Sequence, residues 1–148
     1  QRVLLDGCDV SDEIRTPEAS KMASAVSAKP EVRAFLLEMQ RKAAADSNVI
    51  MDGRDIGTVV LPDADVKIYL TASPEVRAER RFKELTEKGT SVSYEDVLAD
   101  IISRDSADMN REIAPLKKAE DAVLADTSDC GFDESVGLIV KIIRERVG

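Results

Sequence analysis

Two rhythms of apolar and polar positions alternate along the chain. Between Thr16 and Asp46 the spacing is helical. Thr16-Pro17-Glu18 supplies a cap and a proline at the first helical position, which predicts a helix running to about Ala28. Lys29-Pro30 interrupts it, and "PEVRAFLLEMQRKAAAD" predicts a second helix with Val32, Phe35, Leu36 and Met39 on one face. Short apolar runs at 48–52, 66–71 and 122–128 predict buried strands, and Val3-Leu4-Leu5 before Asp6-Gly7 predicts a strand and turn, with 9–15 a candidate second strand. Helical patterns return after Ser73-Pro74, stopping at Gly89; from about Ser93 to around Pro115; and over "DESVGLIVKIIRERV" near the end. This order of strands and helices predicts an α/β fold with a parallel sheet.

At 148 residues the chain is long enough for one domain with a core. Apolar residues make up 43% and charged residues 34%, a globular balance, and no apolar run reaches the roughly 18 residues of a membrane span. The opening "QRVLLDGCDV" has neither a leader pattern nor an initiator Met, so it is expected to begin within a longer protein. With no His, a Ser-His or Cys-His catalytic unit is excluded and a zinc site nearly so. Two distant cysteines, Cys8 and Cys130, fit a reducing compartment, and a cytoplasmic location is expected. A net charge of −8 opposes binding to nucleic acid or to an anionic membrane. Yet 12 of the 21 basic residues are Arg, the side chain suited to bidentate phosphate contact, so their clustering matters more than the sum.

Ligands of open parallel sheets bind beyond the carboxyl ends of the strands. Asp52-Gly53-Arg54-Asp55-Ile56-Gly57 follows the expected strand at 48–52. Its glycines permit backbone shapes that other residues resist, and Arg54 and Asp55, as sequence neighbours, tend to point apart. One can hold a phosphate and the other a hydrogen-bonding ring; a solvated turn with a helix cap is the alternative. Arg104, Asp108 and Arg111 are spaced to share one helix face, as a site or as an exposed salt-bridge ladder. Arg77, Arg80 and Arg81 crowd one short stretch, with Glu75, Glu79 and Glu84 placed to relieve the repulsion on a surface helix. Arg33 sits in a first helical turn, where the helix dipole disfavours a cation, just after Ser24 ends the preceding helix.

Taken in order, "LLDGCDVSDEIR", "ASAVSAKPEVR", "DGRDIGTVVLPDADVKIYLTASPEVRAERR", "RDSADMNREIAPL" and "AVLADTS" resemble the bacterial cytidylate kinases, of the nucleoside monophosphate kinase family, over nearly the whole chain. The resemblance implies an incomplete P-loop kinase-like three-layer α/β fold with parallel core strands. Residues 1–28 would be part of the NMP-binding insert, 29–76 and 96–148 the core, and 77–95 the lid region, with Gly89 in the lid tip. It implies phosphoryl transfer from ATP, with Mg²⁺, to CMP or dCMP. Ser24, Arg33 and Asp55 would read cytosine, whose amine suits a carboxylate and whose acceptors suit Arg and Ser. Arg54 and Arg111 would grip the CMP phosphate and, with Arg81, carry the catalytic charge. Asp108 with Arg104 would hold the ribose, and Arg77, Arg80 and Arg81 would meet ATP as the lid begins. The full-length protein is expected to be a monomer, and a fragment to associate.

One element of that family is missing. None of the seven glycines lies in a GxxxxGK[ST] loop; the Lys of "EKGTS" precedes its Gly. That loop, its Lys and the Mg²⁺-holding hydroxyl would precede Gln1, as would the strand expected between 48–52 and 66–71, and no metal ligand is assigned here. Rival readings are a kinase of UMP or AMP, a non-catalytic nucleotide-binding module, and an acidic helical scaffold.

Overall fold

The computed structural model describes residues 2–148. The chain falls into two compact units, the first ending at Val49 and the second spanning Ile50–Gly148.

In the first unit, β1 (Leu4–Leu5) and β2 (Cys8–Asp9) form an antiparallel hairpin. The turn residues Asp6 and Gly7 have φ of 49° and 84°, the left-handed pair whose twist matches a two-residue hairpin. The strand expected over 9–15 ends at Asp9; Glu13–Arg15 coils into a 3₁₀ turn, and Ile14 N–H donates to the Val10 carbonyl at 3.2 Å rather than to a neighbouring strand. Helix α1 (Pro17–Ser27) begins where expected, with Thr16 Oγ1 accepting from Ala19 N–H. Helix α2 (Pro30–Ala45) follows Lys29. Its apolar face is only partly covered: Phe35 is 68% exposed and Met39 51%.

The second unit holds the parallel pairing. β3 (Ile68–Thr71) lies beside β4 (Val123–Asp126), Ile68 opposite Val123 and Thr71 opposite Asp126. Between them run α3 (Pro74–Glu87) and α4 (Tyr94–Asn110), the long crossover that parallel strands require. Ser73 and Ser93 cap these helices through the backbone N–H groups of Val76 and Asp96. Gly89, with φ of 76°, closes α3 by sending its N–H to the Thr86 carbonyl while Thr90 N–H reaches Leu85. The helices meet over Ala78, Leu85 and Val97, flanked by Phe82 and Tyr94 edge to face at 6.3 Å. Helix α5 (Phe132–Val147) covers β4 and buries Ile142.

Residues 48–52 are not a strand. A strand exists through its ladder, and β3 pairs only with β4 among the described residues. Ile50 is 95% exposed. Beyond it, Ile56–Val60 forms a π-helical turn in which Leu61 N–H reaches the Ile56 carbonyl at 2.7 Å. A cavity of about 430 Å³ separates residues 51–58 from the free side of β3.

Near the C-terminus of α3, Lys88 and then Arg81 hold the Glu84 carboxyl below the usual carboxylate range through hydrogen bonds. Its folded value lies under its unfolded one, so the stabilisation is complete above about pH 4.3 and is lost as pH falls through the folded value. Exposed pairs of this kind contribute only ~0.2–1 kcal/mol. Replacing Glu84 with Gln should lower stability at neutral pH by that amount and flatten the acid limb of the urea midpoint plotted against pH.

Candidate functional site

Four of the residues singled out by chemistry come together in the second unit. Arg54 donates from Nε to Asp108 Oδ2 at 3.0 Å. Arg111 places Nη1 3.9 Å from Asp108 Oδ1 and Nη2 3.6 Å from Asp55 Oδ1. Asp108 is 8% exposed, so its charge is tolerated only because cations flank it. Arg54 remains 41% exposed along its side chain, open to a ligand. Arg111 is more enclosed, and its buried Nη2 has no hydrogen-bond acceptor. An arrangement of two arginines and two carboxylates, with guanidinium hydrogen-bonding capacity left over, can bind a phosphate without much reorganisation.

Local backbone chemistry sets these positions. The Asp55 carbonyl accepts from Val59 N–H at 2.9 Å and lies within 3.3 Å of the N–H groups of Thr58 and Val60, so Asp55 caps the π-helical turn. The glycines beside it serve a different purpose from the one their sequence suggests. Neither Gly53 nor Gly57 has a positive φ. What matters is space: a Cβ at Gly53 would lie 2.8 Å from Ile56 Cγ1, and one at Gly57 would lie 3.4 Å from Lys67 Cδ.

Arg111 is aimed by a turn rather than by a helix face. α4 stops at Asn110, and Arg111 is extended with ψ of 143°. Pro115 bars the helix from continuing through it, and the chain leaves the helix four residues before that limit. Leu116 N–H instead folds back to the Asp108 carbonyl at 2.8 Å. Ala114 takes φ of 50°, which turns its carbonyl to accept from Arg111 Nε at 2.5 Å. The helix expected to run to Pro115 is therefore shorter, and the shared face of Arg104, Asp108 and Arg111 ends before Arg111. Arg104 itself is exposed on α4.

The three arginines of α3 are all engaged. Arg77 donates from Nη1 and Nη2 to the two oxygens of Asp105 and from Nε to the Ala72 carbonyl; the Asp105 hydrogen bonds raise its pKa further. Arg80 donates to the carbonyls of Thr127 at 2.6 Å and Cys130 at 3.1 Å, bracing the loop after β4. Arg81 pairs with Glu84 at 2.8 Å, one of the three glutamates placed to relieve it. Ser24 and Arg33 belong to the first unit. Arg33 folds back toward the C-terminus of α1, with Nη1 3.4 Å from the Ser27 carbonyl, and the Ser24 carbonyl accepts from Ser27 Oγ. Asp105, Thr127 and Ala114 went unnoticed in the sequence. Asp105 lies inside the quoted motif, but nothing local points it to a partner 28 positions away.

Among the described residues no three His, Cys, Asp or Glu side chains gather as metal ligands, and Asp108 is taken by its guanidinium partners.

The parallel strand pair with its crossover helices is that of a partial P-loop kinase-like α/β fold. The family model described as "Cytidylate kinase" matches residues 1–145. The chain is 54% identical to the cytidylate kinase of Carboxydothermus hydrogenoformans over 97% of its own length and 64% of that relative. It is 54% identical to that of Caldanaerobacter subterraneus subsp. tengcongensis, over 98% of the chain and 65% of the relative. It is 53% identical to that of Fervidobacterium nodosum, over 96% and 65%. The chain belongs to the cytidylate kinase family, and it spans slightly under two thirds of the length of these relatives.

The left-handed conformation of Ala114 carries roughly 1–2 kcal/mol of strain. Ala114→Gly relieves it while adding ~0.4–1 kcal/mol of unfolded-state freedom. The net expectation is a gain of about 0.5–1 kcal/mol in denaturant unfolding.

Proposed function

We propose that the complete protein carrying this chain transfers the γ-phosphoryl group of ATP to CMP or dCMP, giving CDP or dCDP. The convergence of Arg54, Asp55, Asp108 and Arg111, in a chain of this family, is the observation that carries the reading. Arg54 and Arg111 grip the phosphate of the nucleoside monophosphate and spread the charge that develops on the transferring group. Asp108 accepts from the ribose hydroxyls, and Arg104 donates to their oxygens. Asp55 accepts from the cytosine amine, with Ser24 and Arg33 as further base contacts; UMP offers a carbonyl where CMP offers that amine. Arg77, Arg80 and Arg81 open the lid segment, which spans 77–95 between flanking core segments at 29–76 and 96–148, with 1–28 in the NMP-binding insert. No side chain acts as a covalent nucleophile, because the reaction needs positioning and charge stabilisation. ATP is the donor, and the Mg²⁺ that accompanies it neutralises phosphate charge when bound, held by groups outside this chain. The protein acts in the cytoplasm as a monomer on small nucleotides, without nucleic acid or membrane; no described helix is long and apolar enough to cross one.

Three measurements test this. In the complete protein, Arg54→Ala should lower kcat/KM for CMP by roughly 10²–10³. Asp55→Ala and Arg33→Ala should erode the preference for CMP and dCMP over UMP and AMP; equal losses for all four nucleotides would refute the base assignment. The 148 residues alone, lacking a GxxxxGK[ST] loop, should show no steady turnover of CMP in a coupled assay. Turnover by the purified chain, its mass verified, would refute that dependence.

A further inference from the structure

Arg77 begins the lid segment and lines the same cavity as Arg54 and Asp55, yet its guanidinium is already paired. Its three nitrogens are all spoken for. Nη1 lies 3.0 Å from Asp105 Oδ1, Nη2 2.5 Å from Asp105 Oδ2, and Nε 3.0 Å from the Ala72 carbonyl. The fork is bidentate, the geometry in which a guanidinium and a carboxylate fix one another's orientation as well as attract. Both partners are largely enclosed, with side chains 34% and 19% exposed.

The three anchors belong to three elements. Ala72 directly follows β3 and is 6% exposed. Arg77 stands in the first turn of α3, one residue before Ala78, which is fully buried against α4. Asp105 lies in α4, one residue after Arg104 and three before Asp108. A clamp at Asp105 therefore sets the rotation and height of α4 against the end of β3. One turn further on, α4 presents Asp108 to Arg54 and delivers the turn that aims Arg111. For Arg77 to reach a nucleotide phosphate it would first have to break this pair.

Resting on the proposed kinase reading, we infer that Arg77 and Asp105 form a positioning unit for the CMP-phosphate cluster, and that Arg77 does not itself contact ATP. Asp105 is thereby given a part in nucleotide recognition through Arg77 and α4 rather than through a contact of its own with the nucleotide.

The test uses the complete protein and four variants: Arg77→Ala, Asp105→Ala, the double variant, and the near-isosteric Asp105→Asn. CMP affinity is read by calorimetry, and KM for CMP and for ATP by steady-state kinetics, after circular dichroism establishes folding. Residues that act through one contact are non-additive. Each alanine variant should weaken CMP binding by roughly 5- to 30-fold, and the double variant by no more than the larger single loss. KM for ATP should stay within about twofold of wild type, since no ATP contact is removed. Asp105→Asn keeps the shape and loses the charge, and should fall between wild type and Asp105→Ala; it carries the test if the alanine variants fail to fold. Arg77→Ala raising KM for ATP while Asp105→Ala does not would overturn the inference in favour of a direct ATP contact. Folded variants with wild-type CMP affinity would overturn it in favour of a purely structural pair. Wild-type protein that binds no CMP would instead refute the kinase reading on which it rests.

Discussion

The second unit is organised around a carboxylate that cannot be left alone. Asp108 sits nearly buried between Arg54 and Arg111. Removing a charge from water costs several kcal/mol unless it is paired, so the loop carrying Arg54 and the turn carrying Arg111 are bound to the end of α4 by necessity. Asp55, 3.6 Å from Arg111, extends the alternation of charge. The same alternation leaves Arg111 Nη2 buried without an acceptor. An unsatisfied buried donor is expensive in a structural ion pair and useful where an anionic oxygen is to be received.

Around this cluster the arginines divide by what their nitrogens already hold. Arg77 is wholly committed to Asp105 and Ala72, and Arg80 to the carbonyls of the loop after β4. Arg81 pairs on the surface with Glu84, an association that solvent weakens. Arg54 keeps only its Nε engaged with Asp108. The framework arginines hold the helices; the partly committed ones, Arg54, Arg111 and Arg81, retain capacity for a ligand.

Strain and crowding are concentrated in the same place. Ala114 accepts a left-handed backbone so that its carbonyl can hold Arg111, and Gly53 admits Ile56 at a distance no Cβ would allow. The π-helical turn at Ile56–Val60 begins on Asp55 itself. Each feature costs stability locally and is maintained by the packing around it.

What the amino-acid sequence determined by itself was local. Thr16, Ser73 and Ser93 as caps and Pro17, Pro30 and Pro74 as openers place the starts of four helices, and Gly89 the end of one, because each signal acts within a turn of itself. The family motifs named the charged residues of the cluster for the same reason of short-range pattern. Tertiary structure decided the rest. Whether 48–52 becomes a strand depends on a neighbour to pair with, which no run of apolar residues can report. The end of α4 lies short of the limit Pro115 imposes, where Leu116 returns to the Asp108 carbonyl and Arg111 to that of Ala114. The pairing of Arg77 with Asp105 joins residues far apart along the chain, and only folding brings such charges within reach. Side-chain chemistry is written residue by residue, whereas pairing, burial and orientation belong to the space between residues.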